Sequence, residues 1–561
     1  MDFDTPLSVA RKVKLGSLGA LPDVPFTVKT LVDAGVIGPV RPDKLVRVLR
    51  ELGRWGASPA AGIAGTAITH PNETMLSDEA GSLSFADVHR RSNALAHALA
   101  EEGVAEGDGV AIMCRNHRGF VEATLAVSKL GANGLYMNTA FSGPQLVGVV
   151  EREEPAALVY DSEFIGLLAE AGEGLKRYVA WRDDEAMPED TTEEAQERAA
   201  SDPTLDDLIA AGDARDLDPP EESSRFVILT SGTTGTPKGA QRAQPDTLGP
   251  LAAMFSKIPL HAQEKTVIAA PLFHSWGFAH FSLGLALRST YVLRRHFDPE
   301  GTLEAIADSG ATALVVVPVM MQRILQLPDE TLSQYELPSL RVTAVSGSAL
   351  AGPLATEWMD RFGDNLYNLY GSTEVAWATI ATPEDLRDAP GTAGRAPRGT
   401  MVRIVDQDGN EVRAGETGRV FVGNEMAFEG YTGGGNKDML EGLLSSGDVG
   451  HFDEDGRLFI DGRDDEMIVS GGENVFPREV EDLLAGREDV KEVAVIGVDD
   501  EEFGQRLKAF LVLTEGVELD QDEIKAFVKS NLARYKVPRE VEFLDSLPRN
   551  ATGKVLKREL A

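Results

Sequence analysis

The spacing of apolar and polar positions predicts that strands and helices alternate along most of the chain. From Thr74 onward, apolar residues recur at helical intervals over 85–102 and 120–130, whereas short apolar runs at 110–113 and 225–229 are typical of buried strands. Strands that alternate with helices pair in parallel and carry helices on both faces. The pattern therefore predicts an α/β fold with doubly wound, mostly parallel sheets.

The last hundred residues show the same two element types in a smaller α+β unit. Apolar runs predict strands at 467–469, 493–498 and 509–513, and helical spacing predicts helices at 477–485 and 520–535. The stretch Arg463-Asp464-Asp465 lies between two apolar runs, so we place the joint between the units there. The acidic segment 183–224 is predicted to be an irregular stretch on the surface, and no catalytic or binding role is assigned to it.

The first part of the chain differs from the rest in charge. Residues 1–56 carry a net charge of +3, whereas the whole chain of 561 residues carries −36. Residues 44–55 are predicted to form an amphipathic helix with Leu45, Val48, Leu49 and Leu52 on one face. Such a basic helix could rest on an anionic membrane surface. Packing on the main domain is the favoured interpretation.

Composition and charge exclude several classes of protein. A net charge of −36 argues against a nucleic-acid binder, which would have a basic footprint. The single cysteine, Cys114, cannot form a disulfide within the chain and is expected to be a small buried residue. No apolar window is long enough for a transmembrane helix, and no secretory signal is recognised. We therefore expect a cytoplasmic protein, with peripheral contact to the inner face of the membrane as an alternative.

The clearest chemical pattern is Leu-Thr-Ser-Gly-Thr-Thr-Gly-Thr-Pro-Lys-Gly-Ala at 229–240. Successive backbone N–H groups in such a glycine-rich turn can bind an anion, and hydroxyls and a lysine add donors. The glycine spacing differs from that of a P-loop. A buried strand followed by this loop predicts a polyphosphate site formed by Thr230, Ser231, Gly232, Thr233, Thr234, Gly235 and Lys238.

Further motifs follow in order: Pro-Leu-Phe-His at 271–274, Ser-Gly-Ser-Ala-Leu at 346–350, Asn-Leu-Tyr-Gly-Ser-Thr-Glu at 368–374, Ser-Gly-Asp at 446–448, Gly-Arg-Asp-Asp at 462–465 and Pro-Arg-Asn-Ala-Thr-Gly-Lys at 548–554. With the loop, they make the chain resemble the adenylate-forming enzymes, which include acyl-CoA synthetases, luciferases and peptide-synthetase adenylation domains. The resemblance covers roughly residues 75–561 and is strongest to bacterial medium- and long-chain fatty-acid–CoA ligases.

This resemblance implies a domain organisation. An N-terminal extension would occupy 1–73, and a large adenylate-forming domain with a small β-barrel-like part would occupy 74–462. A hinge at 463–465 would lead to a small mobile C-terminal α+β domain at 466–561 that carries the catalytic lysine.

The resemblance also implies the reaction and the nucleotide site. ATP, with Mg²⁺, and a carboxylic acid would form an acyl-adenylate, which then reacts with CoA. Tyr370 would stack on adenine, and Asp448 and Arg463 would hold the ribose hydroxyls. Besides the loop, the residues implied in binding ATP or AMP are Gly347, Ser348, Ala349, Asn368, Leu369, Tyr370, Gly371, Ser372, Thr373, Asp448 and Arg463.

The implied catalytic residues are Lys554, Thr373, Glu374 and His274. Lys554 would bridge the substrate carboxylate and the α-phosphate, where its cation stabilises the charge that develops during adenylation. Glu374 would bind Mg²⁺, which prefers one or two carboxylates plus phosphate oxygens. His274 would orient the substrates rather than remove a proton.

The second half-reaction is assigned to the region of the joint. Asp465 resembles the hinge residue about which the small domain turns in this family. The segment that follows would bind CoA through Ser470, Gly471, Gly472 and Glu473, because paired glycines let a pantetheine arm pass close to the backbone.

The acyl pocket is predicted from the segment 275–287, which has no charged side chain apart from His280. A buried ammonium group would need a carboxylate partner, so the segment argues against an α-amino acid and favours an apolar, fatty acid. Trp276 either gates an acyl tunnel or packs in the core. The predicted pocket residues are His274, Trp276, Phe278, Ser346 and Gly371.

Several alternatives remain open at this point. The acid could be aryl or branched, and the acyl acceptor could be a carrier protein instead of CoA. An inactive binding protein is disfavoured because Lys554, Glu374, Asp448, Arg463 and the loop are all retained. The expected partners are the acid, ATP and CoA, without nucleic acid; the oligomeric state is left open, with a homodimer as one option.

Overall fold

The computed structural model describes residues 23–56, 58–168, 171, 174–183, 185–189, 191–230, 238–242, 247–426, 428–432, 434, 436–470, 473–500, 504–517, 519–550 and 553–560. Within these ranges, none of the helices combines the length and apolar character that crossing a membrane requires. Helices α1 (Asp23–Asp33), α2 (Pro42–Trp55) and α3 (Pro59–Thr69) precede the first described strand.

The large domain alternates strands and helices, as the sequence predicts. Its helices are α4 (Phe85–Glu101), α5 (Arg118–Leu130), α6 (Gly143–Glu153), α7 (Glu193–Ser201), α8 (Leu205–Ala211), α9 (Gly249–Phe255), α10 (Ser275–Leu287), α11 (Pro299–Ser309), α12 (Pro318–Leu325), α13 (Asp329–Leu332), α14 (Gly352–Phe362) and α15 (Pro383–Asp388). Several begin at a strong cap: the Ser84 hydroxyl accepts from the Asp87 N–H at the start of α4, and the Asp87 carboxylate accepts from the Ser84 N–H.

The described strands of this domain build two mostly parallel sheets. They are β1 (Thr74–Asp78), β2 (Gly81–Ser84), β3 (Gly109–Met113), β4 (Asn133–Tyr136), β5 (Ala157–Asp161), β6 (Lys176–Trp181), β7 (Phe226–Thr230), β8 (Lys238–Arg242), β9 (Lys265–Ile268), β10 (Thr290–Leu293), β11 (Ala313–Val316), β12 (Val342–Val345), β13 (Leu366–Tyr370) and β14 (Thr379–Ala381). One sheet has the order β14-β13-β12-β11-β9-β10-β1-β2. The other contains β8-β7-β4-β3-β5-β6. In both sheets, antiparallel pairing is confined to the edges.

The main core lies between these two sheets. Helix α5 is buried along nearly its whole length, because it lies among residues of both sheets and of α4. Cys114 belongs to this core, as expected. His117 caps α5 by accepting from the Gly119 N–H at 3.0 Å, and its Nε2 lies 2.8 Å from Asp161 Oδ1. Both ring nitrogens of His117 are therefore occupied by structural contacts.

A third, antiparallel sheet lies before the C-terminal unit in the chain. Its strands are β15 (Met401–Val405), β16 (Gly418–Gly423), β18 (Met439–Leu440), β19 (Leu443–Phe452) and β20 (Leu458–Arg463), while β17 (Phe428–Tyr431) joins the edge of the second parallel sheet through β8. The described strands pair in the open order β15-β16-β19-β18, with β20 on β19. This sheet stands where a barrel-like part was expected, and the pairing that is described does not close it.

The C-terminal unit is α+β, as predicted. Its strands are β21 (Ile468–Ser470), β22 (Glu473–Val475), β23 (Val490–Asp500), β24 (Gly504–Leu513) and β25 (Glu540–Phe543), and its helices are α16 (Pro477–Ala485) and α17 (Gln521–Asn531). A separate cluster that includes Val480, Val495 and Ile524 forms its core.

Three local expectations need correction. The predicted helix at 520–535 ends at Asn531, because Leu532 is extended and a 3₁₀ turn follows at Arg534–Lys536. The apolar run at 267–273 before His274 is typical of a strand, but β9 ends at Ile268. The segment 183–224, expected to be irregular and on the surface, contains helix α8. Thr204 caps this helix, which packs on α4 with Leu205 buried.

Candidate functional site

The predicted motifs meet where the parallel strands of the first sheet end. His274 follows β9, Val319 follows β11, Ser346–Ala349 follow β12, and Gly371–Glu374 follow β13. The carboxyl ends of parallel strands lie at one edge, which is where open α/β sheets bind their ligands. A continuous cavity of about 2170 Å³ opens there and is lined by these motifs, the third sheet and the C-terminal unit.

The side chains of Asp448 and Arg463 lie together because their residues are cross-strand partners in the β19–β20 pair. Arg463 Nη1 lies 3.5 Å from Asp448 Oδ1, and the Tyr370 hydroxyl donates to Asp448 Oδ2 at 2.6 Å. Burial raises the pKa of Asp448, although Arg463 and the Tyr370 hydroxyl oppose this effect. Side chains from β13 and β20 thus converge on the carboxylate of Asp448 on β19, which suits it to accept from ligand hydroxyls.

Glu374 ends the motif that follows β13 and is held by Tyr431, a residue that the sequence analysis missed. The Tyr431 hydroxyl donates to Glu374 Oε1. Burial disfavours ionisation, but this hydrogen bond and the charge of Lys437 outweigh it, so the pKa of Glu374 is lowered. The resulting anionic carboxylate has the chemistry of a Mg²⁺ ligand.

Lys437 is the second residue that the sequence analysis missed. It lines the cavity, and a Cβ added to Gly447 would lie only 3.2 Å from its Nζ. Lys437 therefore faces the turn that precedes Asp448, where it adds positive charge to the nucleotide side of the cavity. The glycines at 433–435 just before Asn436 and Lys437 were the available sequence signal.

Lys554 reaches the same cavity from the C-terminal unit. Its backbone N–H donates to Asn550 Oδ1 at 2.9 Å, which shapes the turn. The turn packs against the large domain so closely that a Cβ at Gly553 would lie 2.2 Å from Val319 Cγ1. Burial and the nearby Arg463 lower the pKa of Lys554, while Asp448 and Glu374 oppose that shift. Lys554 is thus within electrostatic range of both carboxylates.

His274 lies at the start of α10 on the floor of the cavity. Burial lowers its pKa to about 4, and the charge of Lys554 acts in the same direction. The imidazole is therefore neutral near pH 7. A neutral ring beside the Lys554 ammonium can orient a ligand through a hydrogen bond without adding charge.

The predicted acyl wall is helix α10. The ring centroid of Phe278 lies 4.8 Å from that of Tyr136 and 5.1 Å from that of Phe226, and both phenylalanines line the cavity, so this aromatic cluster forms part of its surface. The Trp276 indole donates to Val316 O at 3.1 Å, which fixes the ring against β11. His280 packs edge-on against Trp276, and burial lowers the pKa of His280 to about 3. The wall is therefore uncharged as well as apolar.

The family models agree with this architecture. The model described as AMP-binding enzyme matches residues 64–432, and the model of the AMP-binding enzyme C-terminal domain matches residues 479–554.

The chain belongs to the AMP-binding enzyme family.

Relatives and solved structures support the same placement. The indoleacetate–CoA ligase of Aromatoleum aromaticum is 33% identical over 501 residues, which cover 87% of this chain and 95% of the relative. A fatty acid–[acyl-carrier-protein] ligase of Streptomyces coeruleorubidus is 29% identical over a match that covers 86% of this chain and 92% of the relative. The crystal structure of an anthranilate CoA ligase in complex with anthranoyl-AMP has a TM-score of 0.78 at 25% identity, with 90% and 96% covered. The prediction of an adenylate-forming acid–thiol ligase is confirmed at this level.

Some predicted residues of this AMP-binding enzyme lie outside the described residues. They are Ser231, Gly232, Thr233, Thr234, Gly235, Gly471 and Gly472. The two ends of the phosphate-loop segment are described, and Thr230 and Lys238 are cross-strand partners in the β7–β8 pair. Ser470 is buried and lies opposite Glu473 in the β21–β22 pair. The assignment of a phosphate loop and a CoA segment stays a prediction.

The remaining predicted nucleotide residues line the cavity together. Those on the loop after β12 and on β13 and its loop are Gly347, Ser348, Ala349, Asn368, Leu369, Tyr370, Gly371, Ser372 and Thr373, and Ser346, predicted for the acyl pocket, lines the same cavity. Gly347 has a φ of +100°, and Gly371 has no room for a Cβ, which would lie 2.1 Å from Ala376 O. Both glycines are needed for the backbone path around the cavity. Asp465 accepts from Arg463 Nε at 3.1 Å, which ties the predicted hinge to the nucleotide side.

Proposed function

We propose that this protein is an ATP-dependent ligase that activates an apolar carboxylic acid as an acyl-adenylate and then transfers the acyl group to CoA. AMP and pyrophosphate are the other products. The observation that carries this proposal is the position of Lys554, which reaches the cavity that contains Asp448, Arg463, Glu374 and His274.

The charges in the cavity suit adenylation. A carboxylate oxygen of the acid attacks the α-phosphorus of ATP, the bond to the β-phosphate oxygen breaks, and pyrophosphate leaves. Lys554 stabilises the charge that builds on the α-phosphoryl oxygens. Asp448 and Arg463 hold the ribose. Neutral His274 orients the reacting carboxylate.

Glu374 is the residue that would hold Mg²⁺. Its lowered pKa and its position on the cavity wall fit a cation that takes one or two carboxylates together with phosphate oxygens. When bound, Mg²⁺ neutralises phosphate charge. Tyr431 keeps the Glu374 carboxylate in place by donating to it.

The acid is proposed to carry a ring or another bulky apolar body. The aromatic cluster around Phe278 and the uncharged face of α10 suit such a group. The names of the indoleacetate and anthranilate ligases support an aryl acid for this chain as well. The straight-chain fatty acid expected from the sequence has less support.

The acceptor is proposed to be CoA, with a carrier-protein phosphopantetheine as the second candidate. The relative named for a fatty acid and an acyl-carrier protein favours the second candidate, whereas the relative named for indoleacetate and CoA is more similar to this chain. We also keep the division at 463–465 as a proposal, with Asp465 as the hinge that allows the C-terminal unit to exchange the Lys554 turn for the Ser470–Glu473 segment.

The test is release of pyrophosphate with ATP, Mg²⁺ and CoA across a panel of aryl, cyclic, branched and straight-chain acids. We expect release that depends on both an apolar acid and CoA and that is lost in Lys554→Ala. Lys529→Ala is the matched control, since Lys529 is an exposed lysine of the same unit. Release that acyl-carrier protein sustains and CoA does not would support the second acceptor. Absence of release with every acid would contradict the proposal.

A further inference from the structure

The amphipathic helix predicted near the N-terminus exists as α2, but its apolar face is not buried in the core. Leu45, Leu49 and Leu52 are 43%, 57% and 46% exposed. Together with Val48, they line the cavity that contains His274. The face that the sequence analysis assigned to a membrane surface or to the main domain therefore borders the cavity beside helix α10, the predicted acyl wall.

Contacts at both ends hold α2 in this position. Near its start, Lys44 Nζ donates to Thr69 O at 2.7 Å, which satisfies a carbonyl at the end of α3. At its end, Trp55 is buried, and Arg54 Nη2 donates to Leu217 O at 3.1 Å. The middle of the helix thus spans the cavity margin between two fixed ends.

Helix α3 connects this margin to the acyl wall. A Cβ at Gly62 would lie 3.2 Å from Leu285 Cβ on α10, and a Cβ at Gly65 would lie 3.7 Å from Val48 Cγ1 on α2. Gly62 and Gly65, one turn apart on the same face of α3, therefore let α10 and α2 approach this helix closely. Because Gly62, Gly65 and Thr66 also line the cavity, the apolar lining continues from α10 to α2.

The outward side of α2 has a different character. Arg47 and Arg50 are exposed there, as is Val46 at 62%, and the cavity lining contains none of these three. The cavity of about 2170 Å³ also exceeds the roughly 300–1,000 Å³ of an ordinary ligand pocket, so it has room for more than a nucleotide. The family match begins at residue 64, which places α2 outside it.

From these observations we propose that α2 is the outer wall of the acyl site. Leu45, Val48, Leu49 and Leu52 contact the distal apolar part of an extended acid whose carboxylate lies near Lys554. This proposal rests on the proposed function and makes α2 a determinant of acid length.

The experiment compares Val48→Trp with Val46→Trp, a matched change on the outward side of the same helix. Pyrophosphate release is measured with phenylacetate as a short acid and 8-phenyloctanoate as an extended one. We expect Val48→Trp to lower kcat/KM for the extended acid about tenfold or more relative to the short acid, since pocket contacts of this size change discrimination by that amount. Val46→Trp leaves the ratio unchanged. Retained activity with the short acid shows that Val48→Trp is folded.

Other results overturn the proposal in distinguishable ways. An unchanged ratio in Val48→Trp, or an equal change in Val46→Trp, refutes the role of α2 and leaves the proposed function intact. Co-sedimentation with phosphatidylglycerol vesicles that is lost in Leu49→Glu, without any change in kcat/KM for the extended acid, assigns the face to a lipid surface instead. Absence of release with every acid of the wider panel in the wild-type protein removes the proposed function and this inference together.

Discussion

Substituting alanine for Gly553 tests whether the turn that carries Lys554 must seat against the large domain. Gly553 has a φ of +79°, and its added Cβ would lie 2.2 Å from Val319 Cγ1 and 3.2 Å from Val319 Cβ. Real Cβ atoms do not approach so closely, so the turn must withdraw in Gly553→Ala. Withdrawal moves Lys554 away from Asp448 and Glu374, on which its proposed role in adenylation depends.

The size of the effect has two parts. The left-handed backbone costs alanine roughly 1–2 kcal/mol, which corresponds to about 5- to 30-fold in rate. The contact with Val319 adds to this cost. Val319→Ala removes the nearer Cγ1 but leaves the Cβ, so the double variant should recover part of the contact cost and none of the backbone cost. We therefore expect adenylation to fall more than about 30-fold in Gly553→Ala and to recover partly in the double variant.

The assay separates the two half-reactions. ATP–pyrophosphate exchange reports adenylation, and single-turnover formation of the thioester from a supplied acyl-adenylate and CoA reports the second step. Only the first should be slowed, because the Lys554 turn is proposed to leave the site before the thiol attacks. Equal slowing of both steps, or adenylation at the wild-type rate, would refute the argument that this packing positions Lys554.

Three further predictions concern single side chains. Lys554→Ala should lower the rate of adenylation on the order of 10²–10³-fold in the exchange assay, with Lys529→Ala unchanged. Tyr370→Phe removes the 2.6 Å hydrogen bond to Asp448 and should raise the KM for ATP about 2- to 12-fold, at roughly 0.5–1.5 kcal/mol per bond, in initial-rate measurements at fixed acid. Burial lowers the pKa of Lys129 to about 7. Between about pH 7 and pH 10, Lys129 is therefore neutral in the folded chain and protonated in the unfolded chain. The free energy of unfolding then rises with pH, by up to about 1.4 kcal/mol per pH unit. Guanidinium unfolding at pH 7, 8 and 9 gives the free energy of unfolding at each pH. This free energy should rise less steeply with pH in Lys129→Met than in the wild-type protein, and an equal rise would contradict the lowered pKa of Lys129.

Much of the nucleotide side was predictable because motif order and fold geometry agree. The alternation of strands and helices predicts parallel sheets, and the carboxyl ends of parallel strands lie at one edge. Motifs that follow β9, β12 and β13 must then lie close together. Asp448 and Arg463 were expected as a pair from the family resemblance, and the β19–β20 register places them opposite each other.

The support of Glu374 was not predictable in this way. Tyr431 lies 57 positions after Glu374 in the chain. It belongs to β17, an edge strand that pairs with β8 in the second parallel sheet, whereas Glu374 follows β13 of the first sheet. A hydrogen bond of this kind depends on how two sheets pack, and no local pattern encodes that. Helix α8 was missed for a different reason: it is only seven residues long and lies inside an acidic segment, so its buried Leu205 gives no extended helical pattern.

The apolar face of α2 shows where pattern analysis reaches its limit. Helical spacing predicts that Leu45, Val48, Leu49 and Leu52 share a face, and α2 confirms that they do. The same spacing would suit a lipid surface, a protein core or a ligand cavity. The choice is made by contacts that span long distances in sequence: Lys44 with Thr69 at one end of α2 and Arg54 with Leu217 at the other. These contacts turn the face toward the space beside α10, so its role follows from tertiary packing and not from amphipathicity.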